Sequence, residues 1–265
     1  MFSVMLLFYL LKVRIMKTNK SISNQFDTCH CLFEQSGAFK NAFRELGFQS
    51  YDYDISNTFG QTDFVVDLFN EIEKCYSCNT SIFDSFLPGS LVFSFFPCIY
   101  FESMQASYYS LQTNNLIKKS FSEKIDIVVE RIKKREYYYT LLFKLLKICH
   151  EKKLRLIIEN PATPPHYLLF TQNFPKATYI DYDRRKSGDY FKKPTAYWCF
   201  NVNFIQNFTP FKNKTNLKIK FCRPSSTPGC CSIERSKISP EYAYNFICDH
   251  LLGFNPKFPQ QQNLF

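Results

Sequence analysis

The sequence predicts an α/β fold with a mostly parallel sheet and helices on both faces. Three observations carry that expectation. Short strand-like runs alternate with stretches of helical spacing, the pattern of a parallel sheet with crossover helices. Two of the runs, residues 90–95 and 154–158, are nearly continuously apolar, as strands buried on both faces are. Finally, Glu34, Asp52, Asp67, Cys98 and Glu159 each fall at or near the end of a run. In such sheets ligands bind beyond the carboxyl ends of the strands.

The elements follow in order. Residues 28–33 read as a strand, 34–37 as a turn containing Gly37, and 38–46 as a helix stopped by Gly47. Residues 49–54 form a second strand that ends in Asp52 and Asp54. Residues 64–73 carry an acidic turn at Asp67 and then a helical stretch. The strand at 90–95 has Pro97 behind it. Residues 125–153 repeat apolar side chains at helical spacing, from Ile125, Val129 and Ile132 to Leu141, Leu145 and Cys149, with Lys and Arg between them as a solvated face. The strand at 154–158 is closed by Glu159, Asn160 and Pro161. Later strands are expected at 197–202 and 217–221, a final helix at 240–252, and a frayed tail at 260–265.

The bulk properties narrow the class. A chain of 265 residues suits one α/β domain, and a 45% hydrophobic share excludes a disordered composition. The formal net charge of +10 favours a polyanionic partner, since neutralised phosphates release their counterions. The 11 cysteines form no secreted framework, and Cys75 and Cys78 have no second C-x-x-C pair to complete a zinc site. Reduced thiols, a cytoplasmic location and no metal are therefore expected. The apolar run at 1–11 is too short for a bilayer span of roughly 20 residues. It also lacks the basic start and small-residue cleavage site of a signal peptide. No stable membrane association is expected.

The ordered series CLFEQSGAFKNAFRELGF, YDYD, VDLF, SLVFSFFPCIYFES, LRLIIENP, DRRKSGDYFKKPTAYW and ERSKISPEYAYNFI resembles the cytosine-5 DNA methyltransferase family, nearest its compact phage-type members. The resemblance runs from about Cys31 to Leu251. It implies a Rossmann-like class I methyltransferase fold that uses S-adenosyl-L-methionine and acts on double-stranded DNA. It divides the chain into a tail or start-site extension at 1–24, a catalytic domain at 25–202, a reduced target-recognition insert at 203–232, and a closing helix with tail at 233–265. So short an insert leaves room for a separate specificity or partner protein.

The resemblance also implies roles. Phe33, Glu34, Ser36 and Gly37 would cradle the methionine part of the cofactor, with amides near the helix start meeting its carboxylate. Asp52, or alternatively Asp54, would accept the ribose hydroxyls. Asp67 would meet the adenine amine or simply cap a helix. Pro97, in the loop that presents Cys98, would also line the cofactor site. Attack on carbon 6 of cytosine needs a thiolate, which makes Cys98 the nucleophile. Glu159 would protonate or hydrogen-bond ring nitrogen 3. Arg184 or Arg185 would contact the flipped base and a phosphate, and Arg235 and Ser236 the DNA backbone. The single glycine in the first turn, Ile99 after the cysteine and the small insert motivate a second expectation, a relative that binds DNA or a partner without turnover. Methylation of RNA cytosine is a third.

Overall fold

The computed structural model describes residues 25–102, 108–113, 115–170, 174–208 and 237–257. Seven strands form one sheet: β1 (Thr28–Leu32), β2 (Gln49–Asp54), β3 (Phe64–Val65), β4 (Leu91–Ser94), β5 (Arg155–Pro161), β6 (Tyr179–Asp181) and β7 (Thr195–Phe200). Their spatial order is β3-β2-β1-β4-β5-β7-β6. The first five run parallel, while β7 lies antiparallel to both β5 and β6. This is an α/β architecture with a mostly parallel, mixed sheet.

The central strands are apolar because helices cover both of their faces. Alternate residues feed two cores. Val92, Leu156 and Ile158 point to one side, against α2 (Leu68–Tyr76) and the second half of α3 (Phe121–Glu151). Leu91, Phe93 and Ile157 point to the other, against α1 (Ala38–Glu45) and α5 (Pro240–Phe246). Phe93 is fully buried between the rings of Phe39, 4.6 Å away, and Phe246, 5.8 Å away. Truncating such a side chain costs about 3–5 kcal/mol.

The helix starts are capped as their sequences dictate. Ser120 and Glu123 form a capping box at α3. Asp67 accepts the amides of Phe69 and Asn70 at α2. Ser239 accepts the Tyr242 amide at α5. The start of α1 has no capping side chain of its own at Gly37.

The structure departs from the sequence expectations in six places. Strand β5 continues through Glu159 and Asn160 to Pro161, because β7 pairs with all three. Strand β7 begins two residues earlier than expected, at Thr195. The three-residue edge strand β6 and the short helix α4 (Tyr167–Phe170) were not foreseen. The final helix changes to a wider π turn over Ile247–Leu252. Along α3, Leu141, Leu142, Leu145, Ile148 and Cys149 are buried, whereas Ile125, Val129 and Ile132 are exposed. The strand expected at 217–221, the tail and Arg235 and Ser236 lie outside the described residues.

Candidate functional site

The carboxyl ends of β1, β4 and β5 open onto one cleft of about 220 Å3. Phe33, Glu34 and Ser36 line it from the loop after β1. Phe96, Pro97 and Cys98 line it from the loop after β4, Glu159 and Pro161 from β5, and Lys193 from the loop before β7. Phe33, Glu34, Ser36, Pro97, Cys98 and Glu159 thus share one cavity, because β1, β4 and β5 are neighbours running in the same direction.

Cys98 is half-buried. Its carbonyl accepts the amides of Phe101 at 2.8 Å and Glu102 at 3.1 Å, a tight turn directly after Pro97. The loop is braced from β5, where the buried Asn160 donates Nδ2 to the Phe96 carbonyl at 2.7 Å. Burial pushes the Cys98 thiol up to about 12, Glu102 and Glu159 add to the rise, and Lys193 opposes it.

Glu159 is buried at the inner wall, and its Oε1 has no hydrogen-bond partner among the described residues. Arg184 backs it, with Nη1 at 3.6 Å from that oxygen. Arg184 is fully buried. Its Nη2 lies 2.6 Å from Asp189, its Nη1 donates to Thr195 Oγ1 at 3.3 Å, and its guanidinium lies 4.4 Å from the centre of the Tyr242 ring. Burial opposes the charge, but Asp189, Tyr197, Tyr242 and Glu159 hold the guanidinium above its usual range. Helix α5 closes this box. Ser239 donates to the Gly188 carbonyl at 2.6 Å, and Tyr242 bonds Asp181 and Tyr197.

Of the two arginines left open by the sequence, Arg184 is the one behind Glu159. Arg185 points outward in a two-pronged pair with Asp183, both contacts at 2.8 Å. Lys193, not singled out as a site residue, lies in the cleft. A hint was its place in the same basic segment, two residues before β7.

The first turn differs from expectation in polarity. Both oxygens of the buried Glu34 are engaged by α1, accepting the amides of Phe39 at 2.7 Å and Lys40 at 3.1 Å. The helix start is therefore satisfied from within and does not offer these amides to a ligand carboxylate. Burial raises the Glu34 carboxyl to about 7, with the two helix amides opposing the rise and Asp52 adding to it.

Asp52 is also corrected. It lies inside β2, fully buried, where Oδ1 pairs with Lys40 Nζ at 3.0 Å and accepts the Asp63 amide at 2.6 Å. Lys40 is further bound by the Gln61 carbonyl and Asp63. Asp54 stands at the strand's end, accepting from Ser56 at 2.8 Å and Gln35 at 3.3 Å. Gly37 has φ of 66°, and a Cβ there would meet Asn41, Gln61 and Lys40 at 3.2–3.4 Å, so a side chain there is strained and glycine is favoured. Asp67 follows β3 and is occupied as the α2 cap.

A scan of protein-family models and a search of curated proteins find no match to this chain. The site's own geometry must therefore carry the functional reading.

No group of three or more His, Cys, Asp or Glu is placed to hold a metal ion among the described residues. No helix among them is long and apolar enough to cross a membrane. The eight described cysteines are free thiols.

The residues expected to meet S-adenosylmethionine are placed as follows. Phe33, Phe69 and Phe96 form an aromatic wall, with ring centres 5.4–6.0 Å apart. Asp54 supplies a carboxylate at the end of β2. Glu34 at the end of β1 has both carboxylate oxygens taken by the start of α1.

Proposed function

We propose that this protein transfers a methyl group from S-adenosylmethionine to carbon 5 of cytosine in DNA through a covalent cysteine adduct. One observation carries the reading. The ends of the adjacent parallel strands β4 and β5 bring a cysteine in a Phe-Pro-Cys loop and a buried glutamate to one cleft, with a buried arginine behind the glutamate. The sheet order adds support, since a reversed seventh strand between β5 and β6 is the arrangement of class I methyltransferases.

The residues divide the work. Phe33 and Asp54 would hold the cofactor, whose bound sulfonium supplies an electrophilic methyl group. Cytosine, turned out of the duplex, enters between Cys98 and Glu159. The Cys98 thiolate adds to carbon 6, and Glu159 hydrogen-bonds or protonates ring nitrogen 3 to offset the charge that develops. Carbon 5 then takes the methyl group. Loss of its proton to a base and expulsion of the thiolate restore the aromatic ring. Arg184 keeps Glu159 in place rather than meeting the base directly. The net charge of +10 suits the DNA backbone.

Incubating the protein with DNA and methyl-labelled S-adenosylmethionine, then digesting to nucleosides, tests the reading. Label in 5-methylcytosine, absent with Cys98→Ala, is the expected result. Label in RNA alone, or in methyladenine, would contradict it.

One contact favours a second reading, a relative that binds without turnover. Gln35 donates to Asp54, occupying one oxygen of the carboxylate needed for ribose. Titration calorimetry with S-adenosylmethionine separates the two, since the second reading predicts no cofactor heat.

A further inference from the structure

Asn160 braces the Cys98 loop on the side before the cysteine. On the side after it, the chain is held by one face of α3. Arg131, Arg135 and Tyr138 are spaced four and then three residues apart on that helix, so they project together. Tyr138 meets the Tyr100 ring edge-on, with centres 4.7 Å apart. The Arg131 guanidinium lies 4.0 Å from the centre of the Tyr108 ring and donates to the Tyr108 carbonyl. The Arg135 guanidinium lies 4.8 Å from the centre of the Tyr109 ring and 4.3 Å from that of Tyr167.

The two rings at Arg135 come from different parts of the site. Tyr109 follows Cys98 in the chain, whereas Tyr167 opens α4, the helix that follows Glu159 and β5. The Tyr167 amide donates to the Phe101 carbonyl at 2.8 Å, and the Phe101 amide donates to the Cys98 carbonyl at the same distance. The rings of Phe101 and Tyr167 stack with centres 6.1 Å apart. A path of contacts therefore runs from Cys98 through Phe101 and Tyr167 to Arg135, and on to Tyr109. Ion pairing does not account for the placement of Arg135. Its carboxylate partner among the described residues, the exposed Glu136, is 3.9 Å away, and its Nε has no hydrogen-bond partner among them. A planar guanidinium is the cation suited to lying against aromatic rings.

We infer that Arg135 is a positioning residue that fastens the chain after Cys98 to the chain after Glu159, and so sets how the thiol faces the carboxyl group. Arg135 does not line the cleft. It acts through Tyr109, Tyr167 and the turn at Phe101. The inference rests on Cys98 and Glu159 serving one substrate as proposed above, but the clamp itself can be read without DNA or cofactor.

Amide hydrogen exchange of the full chain, followed by peptide mass spectrometry, provides that reading. Arg135→Met keeps an apolar stem and removes the charge and the plane. It should exchange about tenfold faster than wild type over 98–102 and over 165–170 alike, with 28–32 and 155–158 unchanged. Tyr109→Leu removes one ring of the clamp and should give the same pattern, and the double variant should exchange no faster than either single one. In methyl transfer, Arg135→Met should lower kcat about tenfold while KM for S-adenosylmethionine and for DNA stays within about twofold. Unchanged exchange, or acceleration in one segment alone, would overturn the inference. So would a wild-type kcat in Arg135→Met. If Arg135→Met unfolds the chain, so that the strands exchange faster too, Tyr109→Leu decides by the same criteria. A wild-type protein that transfers no methyl group, yet shows the coupled exchange, would defeat the functional reading alone.

Discussion

Asn160 Nδ2 and the carbonyl of Phe96 are 2.7 Å apart, so β5 holds the loop that presents Cys98. The residue after Glu159 thus aims the residue two before Cys98. Replacing Asn160 with Leu leaves a buried carbonyl unpaired, a cost of about 1–3 kcal/mol. Urea unfolding should show that loss, and methyl transfer should fall further than stability alone explains. An unchanged midpoint together with unchanged transfer would show that the brace is idle.

Arg184 and Arg185 are adjacent in sequence and opposite in consequence. Arg184→Ala leaves the buried Asp189 and Glu159 without their cation, which costs about 3–5 kcal/mol. Arg185→Ala breaks an exposed pair worth about 0–1 kcal/mol. Thermal melting of the two variants side by side checks this. Equal effects would contradict the placement. Spacing alone leaves this choice open, since either neighbour could turn inward. Strand β6, the Asp183 turn and helix α5 decide it.

Asp52 and Asp54 make a second such contrast. Asp52→Ala removes the fully buried partner of Lys40, leaving it to Asp63 and the Gln61 carbonyl, and should destabilise by about 1–3 kcal/mol. Asp54→Ala should leave stability within about 1 kcal/mol but weaken S-adenosylmethionine binding by calorimetry at least tenfold. Cofactor affinity that follows Asp52 and ignores Asp54 would restore the register-based expectation. The two acids share a face of β2, and what distinguishes them is the approach of Lys40 and the Asp63 amide to Asp52, long-range packing that no local pattern encodes.

Glu34 links the first turn to pH. With its carboxyl raised to about 7, the folded protein retains a proton that the unfolded chain releases above about 4.5. Stability from this group is therefore complete at low pH and declines as pH rises towards about 7, by about 3 kcal/mol in total. The buried His30 and His166, both lowered to about 4 by burial, act oppositely, losing stability as pH falls from about 6.5. The readout is therefore the difference between wild type and Glu34→Gln, which share both histidines. Unfolding free energies at about pH 5 and 8 should converge or cross in favour of Gln at the higher pH. A pH-independent difference would remove Glu34 as a titrating cap.

Much of the sheet was legible because fully buried parallel strands announce themselves as apolar runs, as 90–95 and 154–158 did. Strand β6 was not, since three residues at an edge carry no periodicity. The continuation of β5 through Glu159 and Asn160 depends on pairing with β7, whose Tyr197 and Ala196 lie far away in sequence. Cys98 and Glu159 were readable as strand-end residues. Lys193 was not, because its place in the cleft follows from a strained backbone between Lys192 and Pro194, at φ of 25°, rather than from residue type.

The most direct test of the central claim is trapping on DNA that contains 5-fluorocytosine, with S-adenosylmethionine present. Fluorine cannot leave as the ring proton does, so an active enzyme remains bonded to the base through its nucleophile. The account predicts a denaturation-resistant protein–DNA adduct that disappears in Cys98→Ala. An adduct that survives in Cys98→Ala, or cofactor binding without any adduct on DNA, would contradict it.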